Sequence, residues 1–375
     1  MKRKGISGRL IATTVLLAVL IAAIAVGSTV LERSEQKKTE QELAARGEVL
    51  NASVWTYDNT VYLNSELYGF DHRLETFLFV GTDNSGNADP EDYHGPMADF
   101  LLLMVLDHTQ DTIGYIQIDR NTVTEVNELE PDGKLRGIHN IQICTAHWYG
   151  RNPEMCAENT VDAVKHYLGE LENIDGYFVI NMKDIGTLNH TVGGVEVTVQ
   201  DDMDAGVSDA FTPGETLVLD DRQAEQFLRM RRIEGDVGQN AERMSRQRQY
   251  MAAFFDKVRQ RTVENPRFGV ELWEMLKDVA VTNMNGNDFS RIAQKLLKGE
   301  NKGIHTIQGE TILGTIIQDG LTHEEFYPDM QSKVDEMVDM FSLVKLEAPQ
   351  EDDADEAEDL EDDGETEEEY DEDDV

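Results

Sequence analysis

The pattern of apolar positions predicts several buried strands in the first half of the chain. Residues 77–80 are apolar and lead into the turn at residues 81–83. Residues 100–106 are apolar at every position, as expected for a central strand that is covered on both faces. A third strand is predicted over residues 113–120, after a hairpin turn at residues 107–111.

Helices and strands alternate further along the chain. The periodicity predicts a helix at residues 161–168, strands at 177–180 and 195–199, and mostly helical structure from 221 to 297. This mixture predicts an α/β fold, an α-β-α sandwich in which a mixed central sheet carries helices on both faces. No repeat and no Pro- or Gly-rich linker interrupts residues 70–347, so we expect one domain there.

The N-terminus carries a predicted membrane anchor. Residues 10–31 contain no charged side chain, and a helix of that length crosses the ~30 Å core of a bilayer. Basic residues before it favour a single-pass protein with residues 1–9 in the cytoplasm and the domain outside the cell membrane. A cleaved signal peptide is the alternative, because residues 23–25 fit a cleavage site. A polar stalk is predicted over residues 32–69.

The charge of the chain is strongly negative. It has 33 Lys plus Arg against 74 Asp plus Glu, for a formal net charge of −41. This balance excludes a general nucleic-acid binder, which needs excess cations for the phosphates. Residues 348–375 form a tail with 18 Asp or Glu and no Lys or Arg, which we predict to be disordered. The tail is either a solvating segment without a partner, or a calcium-binding or repulsive brush.

Positive charge is concentrated in one segment. Seven arginines and no lysine lie between residues 222 and 248, namely Arg222, Arg229, Arg231, Arg232, Arg243, Arg246 and Arg248. A guanidinium binds phosphate or carboxylate through two parallel hydrogen bonds, which a lysine cannot do. Ordinary surface salt bridges with the many carboxylates are the alternative interpretation.

Helical spacing places some of these arginines beside apolar surface. On a helix that begins at residue 221, Arg231 continues the apolar face formed by Ala224, Phe227 and Leu228. On the next helix Arg243, Gln247 and Tyr250 lie beside the apolar stripe that is made by Met244, Met251, Phe255 and Val258. Guanidiniums at the edge of an apolar surface suit an anionic headgroup on a lipid tail.

Seven short motifs, taken in order, resemble those of the LytR-CpsA-Psr family. They lie at residues 79–83, 97–100, 116–122, 192–195, 214–220, 229–231 and 243–247. The resemblance covers roughly residues 75–262. It implies a phosphotransferase that moves a cell-wall glycopolymer, such as teichoic acid or capsule, from an undecaprenyl-pyrophosphate carrier onto a hydroxyl of peptidoglycan.

The resemblance also implies roles for individual residues. The pyrophosphate is expected to contact Arg120, Arg229, Arg231, Arg243 and Gln247. Arg120 and Arg231, together with Asp99, are the expected catalytic residues. Asp83 and Asp99 are the candidate ligands for a cofactor Mg²⁺ (or Mn²⁺), which would neutralise phosphate charge.

Five positions depart from the family pattern. Asn84 and Met97 replace arginines, and Asn121 and Asn240 replace aspartates. Asp119, where the family has proline, is expected on the opposite strand face and is therefore a poor substitute base for the acceptor hydroxyl unless the end of the strand twists. Asp236 is an alternative for the aspartate missing at Asn240, after a shift in the loop. Besides the transferase, two functions therefore stay open: a catalytically impaired relative that binds the lipid-linked precursor and regulates wall assembly, and a pyrophosphate hydrolase.

The chain has two cysteines, Cys144 and Cys156, both in the part predicted to be exported. We expect them to form a disulfide, which would stabilise the fold by ~3 kcal/mol through the closed loop. Two free thiols are one alternative. A metal site with His147, three residues after Cys144, and with His139 as a further candidate ligand is the other.

Overall fold

The computed structural model describes residues 60–70, 73–89, 93–169, 171, 174–200, 211–230, 239–317 and 321–346. The predicted transmembrane segment (10–31), the stalk up to residue 59 and the acidic tail (348–375) lie outside the described residues. Within the described ranges, no helix is both long and apolar enough to cross a membrane.

The elements alternate between strands and helices along the whole described chain. The strands are β1 (Thr60–Leu63), β2 (Glu66–Gly69), β3 (Leu74–Thr82), β4 (Ala98–Asp107), β5 (Thr112–Ile118), β6 (Val123–Leu129), β7 (Leu135–Gln142), β8 (Gly176–Asn181), β9 (Glu196–Thr198), β10 (Thr216–Val218), β11 (Ala280–Thr282), β12 (Glu300–Thr306), β13 (Gly309–Gly314), β14 (His323–Pro328) and β15 (Val344–Lys345). The α-helices are α1 (Pro153–Tyr167), α2 (Ile185–Thr191), α3 (Asp221–Arg229), α4 (Gln239–Glu264), α5 (Phe268–Leu276), α6 (Gly286–Lys298) and α7 (Met330–Phe341). Two 3-10 helices span Ile143–Trp148 and Met182–Asp184.

The central sheet has six strands in the order β11-β8-β3-β4-β5-β12. β3, β4 and β5 pair antiparallel, as the predicted hairpin requires, and β11 pairs antiparallel with β8. β8 joins β3 in parallel, and β12 joins β5 in parallel. The predicted mixed central sheet is therefore confirmed.

Both faces of this sheet are covered by apolar cores. Because side chains alternate along a strand, β4 contributes Leu102, Met104 and Leu106 to one core. Its neighbours Leu101 and Leu103 belong to the other. Helices α2 to α6 supply the first core, and α1 and α7 supply the second. The uninterrupted apolar run at residues 100–106 thus marks a strand buried on both sides, and the predicted α/β fold is confirmed.

The turn between β4 and β5 forms where the sequence predicts it. Asp107 Oδ1 accepts hydrogen bonds from the backbone N–H groups of Thr109 at 2.7 Å and of Gln110 at 2.8 Å. Asp111 completes the turn in the left-handed region, with φ of 57°. Short polar side chains that bond the backbone two or three residues on stabilise such turns, which explains the composition of residues 107–111.

Three features differ from the sequence-based expectations. Residues 60–69 fall inside the predicted stalk, yet β1 and β2 pair with each other and with β15, and Val61 and Leu63 are buried in the second core. The predicted strand at 195–199 pairs with β10 in a separate two-stranded sheet. β12, in a region without a predicted element, is a parallel edge of the central sheet.

Candidate active site

The centre of the candidate site is a carboxylate held between two guanidiniums. Asp99 opens β4 and Arg120 follows β5, and the antiparallel pairing of Leu101 with Ile118 brings these strand ends together. Arg120 Nη1 donates a hydrogen bond to Asp99 Oδ1. Arg243 Nη1 lies 3.3 Å from Asp99 Oδ2. Three predicted site residues from three segments of the chain therefore meet here.

Arg120 is enclosed by sulfur atoms as well as by carboxylate. Its Nη2 lies 3.5 Å from Met97 Sδ and 3.1 Å from Cys144 Sγ. Burial lowers the pKa of Arg120, but Cys144, Asp99 and Asp83 raise it more, so its pKa lies above the ordinary value. The buried Nε has no hydrogen-bond acceptor within the described part of the chain. Arg120 is thus a permanent cation with one buried donor left for a ligand.

Arg243 extends the network along α4. Its side chain is 1% exposed, and its Nη2 donates to Asn240 Oδ1 at 2.7 Å. Asn240 Nδ2 donates in turn to Asp119 Oδ1 at 2.6 Å. Asn240, in a position where the sequence analysis expected an aspartate, therefore connects the guanidinium of Arg243 to the carboxyl group of Asp119.

The side chain of Asp119 reaches into the site, because the strand ends before this residue. β5 ends at Ile118, and the chain turns at Asp119, whose Oδ1 accepts the backbone N–H of Asn121 at 2.8 Å. Strand alternation no longer applies beyond that end, so the side chain reaches Asn240. Burial raises the pKa of Asp119, and Glu324 adds to the rise against the lowering contributions of Asn121, Asn240 and Arg243.

A deep apolar cavity adjoins this network on the side of the first core. It encloses about 950 Å³, including the part that is open to solvent. Its described walls are formed by side chains of the central sheet and of helices α2 to α6, including Phe79, Phe100, Phe178, Ile185, Leu228, Met251, Phe254, Leu272 and Ala293. Walls of this apolarity are suited to a hydrocarbon chain.

Gln247 stands at the polar edge of the cavity. It lines the cavity one helical turn after Arg243 and is 3% exposed. Its Oε1 accepts a hydrogen bond from Gln117 at 3.2 Å, and Gln117 Oε1 accepts one from Arg248 at 2.9 Å. Gln247 Nε2 is buried with no acceptor among the described residues. The apolar walls of the cavity therefore end at the amide donor of Gln247, and the guanidinium-bearing Arg243 lies one helical turn beyond it.

Arg229, which was predicted to contact the pyrophosphate, does not join this cluster. Arg229 is exposed at the end of α3 and pairs with Glu225 at 2.6 Å, four residues earlier on the helix. Arg231 lies outside the described residues, and α3 ends before it. The predicted apolar face of α3 is confirmed, since Ala224, Phe227 and Leu228 are buried.

Arg246 has a role that the sequence analysis did not assign. Its side chain is 2% exposed, and its Nε donates to the backbone oxygen of Phe227 at 3.0 Å. Its Nη2 donates to the backbone oxygen of Met230. These carbonyls lie at the C-terminal end of α3, where backbone acceptors lack helical partners. Burial lowers the pKa of Arg246 to about 10. Arg246 thus fixes the segment that leads to Arg231.

Asp83 follows β3 and holds the loop that leads to β4. Its Oδ1 accepts hydrogen bonds from Ser85 N at 3.0 Å, Ser85 Oγ at 2.6 Å and Met97 N at 3.0 Å. Its Oδ2 accepts none from the part of the chain that the structure describes. Both oxygens of Asp99, by contrast, face guanidiniums. Asp83 fits a Mg²⁺ ion that takes most of its ligands from phosphate and water, while Asp99 fits one only if Arg120 or Arg243 turns to a phosphate.

The predicted disulfide is not formed: Cys144 and Cys156 are both free and buried. Cys144 Sγ faces Arg120. The sulfur of Cys156 packs against Gly95, so closely that a Cβ atom at Gly95 would lie only 2.9 Å from it. Burial raises the pKa of Cys156 to about 11. The two sulfurs are therefore engaged with different parts of the fold.

The alternative metal site with His147 is not formed either. Its Nδ1 lies 2.8 Å from the backbone oxygen of Pro96, and burial lowers its pKa to about 4. The described ranges contain no group of three or more His, Cys, Asp or Glu side chains placed to hold a metal ion. His147 is therefore a neutral, buried packing residue.

Solved structures share this fold. Bacillus subtilis TagV superposes with a TM-score of 0.54 at 19% identity, over 72% of this chain and 98% of TagV. The protein gbs0355 from Streptococcus agalactiae gives 0.56 at 16% identity, over 77% and 96%. TagT bound to LIIa-WTA gives 0.51 at 18% identity, over 71% and 91%. None of the curated protein sequences matches this chain significantly.

The sequence itself matches a family model. The match to the LytR_cpsA_psr family spans residues 32–337, which is most of the chain. It includes the motif-bearing strands β3 to β5, the helices α3 and α4, and the C-terminal elements as far as α7. The chain belongs to the LytR_cpsA_psr family.

Proposed function

We propose that this protein transfers a cell-wall glycopolymer from an undecaprenyl-pyrophosphate carrier to a hydroxyl of peptidoglycan. Membership in the family supports a general role in glycopolymer transfer. The structurally similar TagT has been obtained bound to LIIa-WTA, a wall teichoic acid ligand, which supports a donor of the same kind here. The protein acts, in this proposal, at the outer face of the cell membrane, held there by residues 10–31.

One observation carries this proposal: an apolar cavity ends beside a buried pair of guanidiniums. Gln247, in the cavity wall, and Arg243, in the ion-pair network, lie one turn apart on α4. A polyprenyl chain needs the cavity, and its diphosphate needs the cations. Arg120 and Arg243 both face Asp99, so two guanidiniums lie side by side where an anionic ligand can bind them.

The open donors support the same ligand. The Nε of Arg120 and the Nε2 of Gln247 are buried and have no acceptor among the described residues. A buried donor without a partner costs about 1–3 kcal/mol, so such groups mark a place where a bound acceptor is expected. Phosphate oxygens would satisfy both groups.

Phosphoryl transfer requires positioning and charge neutralisation rather than a protein nucleophile. Arg120 and Arg243 would bind the diphosphate oxygens and stabilise the charge that moves to the leaving phosphate. Asp99 fixes the orientation of both guanidiniums. Asp83 would hold a Mg²⁺ ion, which supplies further charge neutralisation when it is bound. Arg231 is proposed to contact the pyrophosphate on the strength of its motif alone.

A reconstitution assay tests the proposal. The full-length protein is mixed with a pyrophosphate-linked glycan on a short polyprenyl chain, Mg²⁺ and peptidoglycan oligomers. Glycan joined to peptidoglycan is the expected product. Binding of the donor without turnover would instead indicate a regulatory relative, an outcome that Asn121 and Asn240 motivate. Release of phosphoglycan without acceptor would indicate a hydrolase.

A further inference from the structure

The family motif has an aspartate where this chain has Asn121, but the carboxyl group of Asp119 lies beside that position. Asp119 Oδ1 accepts from Asn121 N and from Asn240 Nδ2. Asp119 Oδ2 accepts no hydrogen bond within the described ranges. The turn thus fixes one oxygen and leaves the other available, which is the arrangement that a proton acceptor needs.

Asp119 and the cavity lie at opposite ends of a row of side chains on α4. Asn240, Arg243 and Gln247 are spaced along one face of α4 and span about 10 Å at 1.5 Å per residue. The cavity begins at Gln247 and continues toward the C-terminus of the helix. Asp119 is bonded to Asn240, at the other end of this row. Arg243 therefore lies between the lipid cavity and Asp119.

This order matches the requirements of in-line transfer. With the lipid tail in the cavity and the diphosphate at Arg243 and Arg120, the phosphorus that carries the glycan lies on the side away from the tail. The attacking hydroxyl must approach that phosphorus opposite to the leaving lipid phosphate. A base for this hydroxyl is needed on the side where Asp119 lies.

We propose that Asp119 is the general base of this transfer, an inference that rests on the function proposed above. Its Oδ2 takes the proton of the acceptor hydroxyl while the hydroxyl oxygen forms a bond to the glycan-bearing phosphorus. The bond between that phosphorus and the bridging oxygen breaks, and its electron pair leaves with the polyprenyl phosphate. Asp119 then returns its proton to water.

Glu324 is a positioning residue in the same proposal. It lies at the start of β14, which docks on the turn through the hydrogen bond from Phe326 N to Asn121 O at 2.9 Å. Glu324 Oε2 accepts the side-chain N–H of Asn121 at 3.2 Å. Its charge makes the carboxyl group of Asp119 more basic. A segment without a family motif thereby contributes to the site.

The charged and titratable groups that face Asp119 come from four sides. Arg243 on α4 stabilises its ionised form, and Glu324 on β14 opposes ionisation. Tyr167, the last residue of α1, is close enough for Asp119 to raise its pKa. Arg120 is the next residue in the chain. Burial is the largest influence, and it shifts the pKa of Asp119 above the ordinary value of an aspartate.

The test compares Asp119→Asn with the wild type in the full-length protein. Asparagine keeps an acceptor oxygen for Asn121 N, so the turn is retained, which thermal unfolding checks. We expect the transfer rate to fall by about 10²- to 10⁴-fold while the affinity for the pyrophosphate-linked glycan stays unchanged. Asp132→Asn, on the exposed turn between β6 and β7, is the matched control and should transfer at the wild-type rate.

The pH profile separates a base from a structural carboxylate. The wild-type rate should rise with pH as Asp119 ionises, and Asp119→Asn should lose that rise. Glu324→Gln should move the rise to lower pH, because removal of the neighbouring negative charge lowers the pKa of Asp119. If the carboxyl group of Asp119 served folding alone, Glu324→Gln would not shift the midpoint of the rise in rate with pH, and Asp119→Asn would not abolish that rise.

The outcomes distinguish this inference from the proposed function. Wild-type transfer that survives in Asp119→Asn with the same pH dependence overturns the role of Asp119 and leaves the proposed function standing. A wild-type protein that binds no pyrophosphate-linked glycan overturns the proposed function, and the role of Asp119 with it. If Asp119→Asn still binds the pyrophosphate-linked glycan but loses most of the transfer rate and its rise with pH, both the proposed function and the role of Asp119 are supported.

Discussion

Arg243 and Arg229 are assigned the same role by the family motifs, but the structure predicts opposite consequences when each is replaced. Arg243 is 1% exposed, with a contact of 3.3 Å to Asp99 and a hydrogen bond of 2.7 Å to Asn240. Arg229 is exposed and pairs only with Glu225 among the described residues. We therefore compare Arg243→Met with Arg229→Met, since methionine keeps much of the apolar stem of each arginine.

The expected magnitudes follow from burial. Removal of the donor of a buried hydrogen bond leaves its acceptor unsatisfied and costs about 1–3 kcal/mol. In Arg243→Met, Asn240 Oδ1 loses its donor, and Asp99 Oδ2 loses its contact with a guanidinium. The exposed pair of Arg229 and Glu225 is spaced four residues apart on a helix, so its loss costs about 0.3–0.5 kcal/mol.

Urea unfolding of the full-length variants, followed by tryptophan fluorescence, measures both free energies. Arg243→Met should also cost less in an Asp99→Asn background, because the ionic contact between Arg243 and Asp99 is then already lost. Equal losses of stability in the two single variants would refute the reasoning. So would a cost for Arg243→Met that is unchanged when Asp99 is neutralised.

Three further predictions concern other parts of the domain. Because burial lowers the pKa of His147 from 6.5 to about 4, the protein should lose up to about 3 kcal/mol of stability as pH falls through this range, and His147→Gln should lack that loss in pH-dependent unfolding. Cys144 and Cys156 are buried, so they should react with a thiol reagent only after the protein is denatured. The denatured chain should then show two reactive thiols without prior reduction, and a requirement for a reductant would contradict the structure. Ala293→Phe should fill part of the cavity and weaken binding of a polyprenyl diphosphate but not of inorganic pyrophosphate, as titration calorimetry with both ligands can show.

The strands of the central sheet were predictable because burial on both faces leaves a strong apolar signal. Residues 100–106 are such a run, and the register of β4 with β5 follows from the tight turn that joins them. The edge strand β12 escaped prediction because its residues are only partly buried and its sequence, Glu300–Thr306, is largely polar. Its place in the sheet depends on parallel pairing with β5, which no local pattern reveals.

The core of the site was predictable from motif spacing, since Asp99, Arg120 and Arg243 do meet. The network beyond them was not. The contribution of Asp119 depends on β5 ending one residue before it, and strand boundaries are the least certain part of a sequence-based prediction. Glu324 comes from a distant segment, and its contact with Asn121 arises only from tertiary packing.

The cysteines show where a general rule misled. Two cysteines in a predicted exported segment favour a disulfide on compartment alone. The fold instead gives each sulfur a separate use: Cys144 faces the guanidinium of Arg120, and Cys156 fills the space left by the absent side chain of Gly95. The buried helix that carries Cys144 had no distinct sequence signal, so these contacts could not be anticipated.

The most direct test of the account is a crystal structure of the protein with a short polyprenyl diphosphate. We predict that the phosphate groups contact Arg120 and Arg243, and that the hydrocarbon chain extends past Gln247 into the cavity along α4. Diphosphate density at the exposed Arg229 instead, or a hydrocarbon chain outside this cavity, would contradict the account.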